Sequence, residues 1–170
     1  MLVTGAAGGV GSAAVQTAKA RGAYVIGTAS GGHAAYLKGI GVDEHVDYTA
    51  GDWAARIQNV DAVIDTVSAA NATEALRTVR RGGKLVFAAG GPKAEACSAA
   101  APGAAPERAA PGVNPVIDEI TRLADAGKLK VVINASYPLD RTLAAWKAGH
   151  KGSAQGKQVM IVDAANAGKK

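Results

Sequence analysis

The chain has 170 residues, a formal net charge of +5, a hydrophobic share of 48% and an aromatic share of 4%, which suits one domain with a single tightly packed core. One cysteine, Cys97, excludes an internal disulfide and a multi-cysteine metal cluster, and it favours a reducing cytoplasm. No apolar run approaches membrane-spanning length and the positive residues are scattered, so neither a membrane nor nucleic acid is expected as a partner.

Strand-like apolar runs alternate with helical stretches through the first half of the chain. A strand at Leu2-Val3 leads into a helix from Gly9 to Ala20. The following elements are then predicted: a strand at 24–29, a helix at 34–39, a strand at 45–47, a helix from Asp52 through Ile57, a strand at 61–67, a helix at 72–80 and a strand at 84–89. This order, with short glycine joints, predicts an α/β fold, namely a doubly wound, mostly parallel Rossmann-type sheet with helices on both faces.

The pattern breaks at residues 92–112, PKAEACSAAAPGAAPERAAPG, which hold four of the six prolines and no branched aliphatic side chain. A loose linker without a buried strand is predicted there. A helix capped by Asn114, with Pro115 at its first position, is expected to run to Ala126. A strand at 131–133, a helix at 139–148, a strand at 158–162 and a disordered tail at 163–170 complete the prediction.

A glycine-rich turn joins the first strand to the first helix, with glycines at positions 5, 8, 9 and 11. Glycine lets a pyrophosphate approach the amides at a helix start, where the helix dipole is positive. The Gly-x-Gly-x-x-Gly pattern would span 6–11, but Ala6 takes its first place, and any tight strand-to-helix joint favours glycine. The position of this turn between a first strand and a helix predicts nucleotide binding, with residues 1–162 as a single dinucleotide-binding domain.

The letters Thr4-Gly5-x-x-x-Gly9-x-Gly11 also match the motif of short-chain dehydrogenases, which implies a catalytic Tyr-x-x-x-Lys. The residues four positions after the tyrosines are Thr28, Ile40, Asp52 and Arg141. None of them is lysine, so this alternative fails.

Over nearly all of its ordered length the chain resembles the cofactor domain of the medium-chain dehydrogenase/reductases, in their zinc-independent quinone oxidoreductase (zeta-crystallin-like) branch. The segments that carry the resemblance are VTGAAGGVGSAAVQTAKARGAYVIGTAS, GVDEHVDYTAGDW, DAVIDTVS, RRGGKLVFAAG, LADAGKLKVVINASYPLD and GSAQGKQVMIV. The resemblance implies an NADPH-dependent oxidoreductase that transfers hydride to a small molecule, either a quinone or an activated carbonyl or enone compound. It places no catalytic side chain in this domain.

The resemblance also implies cofactor-binding roles for nine residues. Those expected to line the pyrophosphate loop are Ala7, Gly8, Gly9 and Val10. Ser30 and Tyr48 would lie near the adenosine ribose and its 2′-phosphate. Val67 would face the ribose bridge, and Ala89 and Gly90 would approach the nicotinamide half.

An argument from charge also favours NADPH over NADH. NAD-selective folds place an acid about 20 residues beyond the glycines to hold the ribose hydroxyls, and a carboxylate would repel a 2′-phosphate. The chain reads Thr28-Ala29-Ser30-Gly31-Gly32-His33 there, without an acid. Lys151 or His33 could hold that phosphate, although a solvated side chain is the simpler interpretation of each.

Other chemistry-bearing residues have simple interpretations. Cys97 lies in the linker, without a basic or helical context that would activate its thiol, and is predicted to be a bystander. The histidines at 33, 45 and 150 make no ligand pair, and the zinc sites of other medium-chain dehydrogenases have no counterpart, so no zinc is expected. Asp65 is predicted to bond neighbouring backbone amides rather than to act in catalysis. Trp53 and Trp146 are predicted to be packing anchors.

The resemblance implies two further parts that the chain is expected to lack. In the family a GroES-like domain precedes this one and forms most of the substrate pocket. Because hydride transfer needs a dry, shaped pocket, weak or absent turnover is expected of this chain alone. In the family, a strand after 84–89 often carries the dimer contact, and this strand is expected to be lost within 92–112. Whether the chain forms a homodimer without that strand stays an open question. The alternative to an active oxidoreductase is a non-catalytic NADP(H)-binding module or a truncated remnant.

Overall fold

A computed structural model describes residues 1–91, 105–108, 114–150 and 155–162, with the backbone alone at 105–108, 114, 115 and 150. The strands are β1 (Leu2–Thr4), β2 (Ile26–Ala29), β3 (Glu44–Asp47), β4 (Val60–Asp65), β5 (Val79–Phe87), β6 (Ala105–Arg108), β7 (Ile133–Pro138) and β8 (Lys157–Ile161). The α-helices are α1 (Gly9–Ala20), α2 (Ala34–Gly39), α3 (Ala69–Ala75), α4 (Asn114–Asp125) and α5 (Thr142–His150). Single 3-10 turns lie at Gly31–His33, Ala54–Arg56, Leu76–Thr78 and Leu139–Arg141.

Six strands form a parallel sheet in the order β3-β2-β1-β4-β5-β6. The strand order reverses beside β1, which pairs with β2 on one side and with β4 on the other. β7 and β8 pair with each other in a parallel two-stranded sheet. The α/β, doubly wound prediction is therefore confirmed, and the carboxyl ends of β1, β2 and β4 mark the edge where such sheets bind ligands.

The core lies on both faces of the sheet because neighbouring residues of β1 point in opposite directions. Leu2 packs in a cluster with Trp53, Val63 and Leu85, whereas Val3 packs in a second cluster with Val15 and Leu37. Trp53 is only 9% exposed, which confirms its prediction as a packing anchor. The same prediction for Trp146 is wrong, since 59% of that residue is exposed. In the part of the chain that the structure describes, no helix is long and apolar enough to cross a membrane.

The expected loss of a strand after β5 is wrong, because Ala105–Arg108 forms β6 inside the predicted linker. Its register places Ala105 opposite Lys84 and Pro106 opposite Leu85. An edge strand pairs on one side only, so it tolerates a proline and does not need the apolar side chains that a central strand buries. The rest of the 92–112 prediction, like the predicted tail at 163–170, lies outside the described residues.

Several predicted boundaries also shift. The helix predicted from Asp52 through Ile57 is a single 3-10 turn. The helix predicted at 72–80 begins earlier, at Ala69, because the Ser68 hydroxyl caps it by accepting a 3.2 Å hydrogen bond from the Asn71 backbone N–H. β5 begins at Val79, before an irregular stretch in which the register with β4 shifts. β2 and β7 begin two residues later than predicted, at Ile26 and Ile133.

We expect Asp43→Asn to lower the free energy of unfolding by about 1 kcal/mol at neutral pH. The free energy of unfolding of the variant should also depend less on pH in the acid range. The Asp43 carboxylate accepts 2.7 Å hydrogen bonds from the Lys19 ammonium and from the Val25 backbone N–H, which fixes the approach to β2. These two donors, Lys19 first, lower the pKa of Asp43 below its ordinary value of 3.8. The stabilisation is therefore present above pH 3.8 and is lost as the pH falls through the lowered pKa. Urea unfolding of both proteins between pH 7 and 3 measures this stabilisation. If the free energies of unfolding of the two proteins fell in parallel with pH, the role of Asp43 would be contradicted.

Candidate functional site

A cleft of about 810 Å³ opens beyond the carboxyl ends of β1, β2 and β4. Four parts of the chain line it: the glycine turn with the start of α1, the ends of β2 and β3 with the residues after them, the turn after β4 together with α3, and the first residue of β8. The lining residues are Gly5, Ala7, Gly8, Gly9, Val10, Thr28, Ala29, Ser30, His33, Tyr48, Thr66, Val67, Ser68, Ala70, Asn71, Glu74 and Lys157. The cleft therefore lies where the reversal of strand order leaves a crevice for a ligand.

The glycine turn is compact because its backbone folds against itself. Gly5 has a φ of +65°, and its carbonyl oxygen accepts a 3.0 Å hydrogen bond from the Gly8 N–H. A Cβ built on Gly11 would come within 2.8 Å of the Ala6 Cα and the Gly5 carbonyl carbon. Gly8 caps α1 without a side-chain acceptor, and no acid stands in the first helical turn. The helix start thus has neither a capping side chain nor a neighbouring acid in its first turn, which leaves its amides available to an anion.

The ends of β2 and β3 form the second wall. Ser30 is half-buried at the end of β2, and Tyr48 is 49% exposed after β3. The nearby Asp47 carboxylate accepts hydrogen bonds from the Thr49 N–H and hydroxyl at 2.8 and 2.7 Å, and these bonds lower the pKa of Asp47. A Cβ built on Gly31 would lie 2.6 Å from Asp47 Oδ2. The Asp47 carboxylate thus lies between Thr49 and Gly31, the residue after Ser30, although it does not line the cleft.

A buried carboxylate organises the third wall. Asp65 is fully buried, and its Oδ1 accepts 2.5 Å hydrogen bonds from the Thr4 hydroxyl and the Asn71 amide. The predicted backbone partner is present as well, since the Val67 N–H lies 3.4 Å from Oδ2. The two side-chain donors, which the sequence did not indicate, are the closer partners. Asp65 thus joins the ends of β1 and β4 to α3 and holds Asn71 on the cleft wall.

The fourth wall comes from a segment far along the chain. The Gly156 N–H donates a 2.9 Å hydrogen bond to the Ala7 carbonyl, and Gly156 bridges to Gly8. The Gln155 amide nitrogen lies 3.0 Å from His33 Nδ1. Lys157 lies over Gly9, so that a Cβ built on Gly9 would be 2.9 Å from Nζ. The start of β8 therefore closes one side of the glycine turn.

The structure brings together seven of the nine residues predicted to bind cofactor. The cleft is lined by Ala7, Gly8, Gly9, Val10, Ser30, Tyr48 and Val67, together with the alternative phosphate ligand His33. Ala89 and Gly90 do not line it: they are exposed after β5, where Gly90 lies beside Ala69 at the start of α3. Lys151 and Cys97 lie outside the described residues. Whether the nine residues bind a cofactor stays a prediction.

Sequence reasoning missed six polar residues that line the cleft: Thr28, Thr66, Ser68, Asn71, Glu74 and Lys157. Most of them follow β4 at its carboxyl end, so the predicted sheet topology was the signal that could have found them. Lys157 had no such signal, because it begins the last strand rather than ending one.

Among the side chains that the structure describes, no three His, Cys, Asp or Glu residues are grouped so that they could hold a metal ion. The described residues therefore do not fit a zinc site.

Comparison with known proteins adds a family context. A family described as zinc-binding dehydrogenase matches residues 40–160. The chain is 30% identical to the chloroplastic quinone-oxidoreductase QR1 of Triphysaria versicolor, covering 94% of this chain and 51% of that protein. It is 28% identical to the mitochondrial NAD(P)H oxidoreductase RTN4IP1 of Mus musculus, covering 95% of this chain and 47% of that protein. The chain thus spans about half the length of these relatives.

A solved structure of similar fold is the quinone oxidoreductase from Coxiella burnetii, with a TM-score of 0.85 and 27% identity. The match covers 95% of this chain and 52% of that one.

Proposed function

Because this chain belongs to the zinc-binding dehydrogenase family, in the quinone oxidoreductase branch of the medium-chain dehydrogenase/reductases, we propose that its cleft binds NADPH for an oxidoreductase reaction. The acceptor in this proposal is a quinone or an activated carbonyl or enone compound. The observation that carries this proposal is the glycine turn at the start of α1, which has no side-chain cap and no acid and opens into the cleft at the crevice of the sheet.

The residues of the cleft fit a dinucleotide part by part. The backbone amides of Gly9 and Val10 would bind the pyrophosphate, because they begin α1 and no acid stands in its first turn. The Gly8 N–H is already bonded to the Gly5 carbonyl, so Gly8 would only line the pyrophosphate loop. Ser30 and Tyr48 would contact the adenosine ribose at the ends of β2 and β3. The wall that Asp65 organises would face the other ribose. When bound, the nicotinamide supplies the hydride, so the cleft residues have to bind and orient rather than exchange protons.

The preference for NADPH is part of this proposal. The half-buried Ser30 is neutral, and Asp47, whose Oδ2 lies beside Gly31, accepts hydrogen bonds from Thr49 and does not line the cleft. A 2′-phosphate at the end of β2 would therefore face the neutral Ser30, at the position where NAD-selective folds place a carboxylate.

We expect Ser30→Asp to shift the preference from NADPH toward NADH. The new carboxylate would repel the 2′-phosphate and could accept hydrogen bonds from ribose hydroxyls, so the ratio of the two dissociation constants should change by about tenfold or more. Titration of each nucleotide, followed by nicotinamide fluorescence, measures it. Ser30→Asn is the matched control of the same shape without charge, and an equal ratio in all three proteins would contradict the account of position 30.

An alternative function is a binding module without turnover, and the exposure of the cleft favours it. Val10 and Val67 are 55% and 50% exposed, so this side of the cleft is open to water, whereas hydride transfer needs a dry pocket.

An assay of NADPH oxidation with a panel of quinones separates the two functions. Saturable oxidation would support the oxidoreductase and contradict the module, whereas nucleotide binding without oxidation would support the module. Failure to bind either nucleotide would contradict both.

A further inference from the structure

Lys157 occupies a place at the glycine turn that its position in the sequence does not suggest. Its side chain runs across Gly9, with Cδ 2.6 Å and Nζ 2.9 Å from where a Cβ on Gly9 would be. Any side chain at position 9 would have to displace the lysine. The ammonium group is therefore held within reach of the same first-turn amides of α1 that form the proposed pyrophosphate site.

The backbone fixes this placement on both sides of the residue. Gly156, which precedes Lys157, donates to the Ala7 carbonyl at 2.9 Å, and the Lys157 N–H donates to the Val132 carbonyl at 2.8 Å. Gly156 has a φ of +67°, a conformation that favours glycine, and a Cβ there would collide with Val132. The lysine thus projects from an anchored turn, and its own side chain remains exposed at the cleft.

The charged side chains that line the cleft distinguish Lys157 from the other lysines. Within the described ranges, Lys157 is the only lysine or arginine that lines the cleft, and Glu74 is the only acid. Glu74 is paired with Arg77 at 2.8 Å, which neutralises it in part. An anion on the glycine turn would lie between the positive end of α1 and the Lys157 ammonium, and charge-assisted hydrogen bonds of this kind are among the stronger ones.

We propose that Lys157 is the cation that binds the pyrophosphate of the nicotinamide nucleotide in this cleft. The proposal rests on the proposed function, since it assumes that the cleft accepts NADPH. It assigns the lysine to the phosphate bridge rather than to the 2′-phosphate, because Lys157 lies at Gly9 and not at Ser30.

The test compares two nucleotides that share the pyrophosphate and differ in the 2′-phosphate. Lys157→Gln should weaken NADPH and NADH by the same factor, about tenfold, because both lose the same charge-assisted contact. Lys157→Arg should restore most of the affinity for both. Lys128→Gln, which removes an equal charge from a residue that does not line the cleft, should leave both dissociation constants unchanged.

Three results would overturn the assignment. A loss confined to NADPH would place the lysine at the 2′-phosphate, and unchanged binding of both nucleotides would remove it from the site. An equal loss in Lys128→Gln would mean that only overall charge matters. Circular dichroism of each variant checks that the fold is intact. If the unmodified chain binds neither nucleotide, the proposed function fails and this inference fails with it, an outcome distinct from the other three.

Discussion

Gly11→Ala is expected to destabilise the fold by about 3 kcal/mol and to abolish nucleotide binding. The added Cβ would lie 2.8 Å from both the Ala6 Cα and the Gly5 carbonyl carbon, and closer still to the Gly5 carbonyl oxygen. All three atoms are backbone atoms of the turn, so no side chain can move aside to make room. The turn or the start of α1 must shift, and either shift displaces the proposed pyrophosphate site. Urea unfolding and NADPH titration measure the two effects.

Gly39→Ala is the matched control for this variant. Gly39 ends α2, and a Cβ there would have nothing within 4 Å. The same substitution should therefore leave nucleotide binding intact and change stability by no more than about 1 kcal/mol, in the stabilising direction. The account of the turn would be contradicted if Gly11→Ala unfolded at the same urea concentration as the unmodified chain.

Asp65→Ala is expected to cost about 3 kcal/mol of unfolding free energy and to weaken nucleotide binding. The substitution leaves the buried Thr4 hydroxyl and the Asn71 amide without their acceptor and opens a small cavity between β1, β4 and α3. Because Asn71 lines the cleft, its release should also loosen the third wall. Thermal and urea unfolding measure the first effect, and nucleotide titration measures the second.

Asp61→Ala provides the comparison on the same strand. The Asp61 side chain is 77% exposed and pairs with Arg80 at 2.7 Å on the surface, where ion pairs contribute little. Its loss should leave both the unfolding midpoint and the nucleotide affinity close to those of the unmodified chain. Equal destabilisation by the two substitutions would contradict the organising role of Asp65.

Much of this fold could be predicted because the informative residues are local. The helix predicted from Gly9 to Ala20 is α1 to the residue, since glycine punctuation and an apolar face mark both ends. β6 could not be predicted, because an edge strand is held by backbone hydrogen bonds and Ala-Pro-Glu-Arg has no apolar alternation to indicate them.

The candidate site likewise has a part that could be predicted from the sequence and a part that could not. The glycine turn and Ser30 lie on one short stretch of sequence and were predicted as members of one site. Lys157 reaches Gly9 only because β8 pairs with β7 and because the N–H of Gly156, just before β8, donates to the Ala7 carbonyl. Likewise, the Thr4 and Asn71 contacts of Asp65 depend on how β1, β4 and α3 meet, which spacing along the chain does not encode.

The most direct test of the central claim is calorimetric titration of the 170-residue chain with NADPH and with NADH. The account predicts saturable binding at one site per chain, with NADPH the tighter ligand, and loss of that binding in Gly11→Ala but not in Gly39→Ala. A chain that is folded by circular dichroism and yet binds neither nucleotide would contradict it.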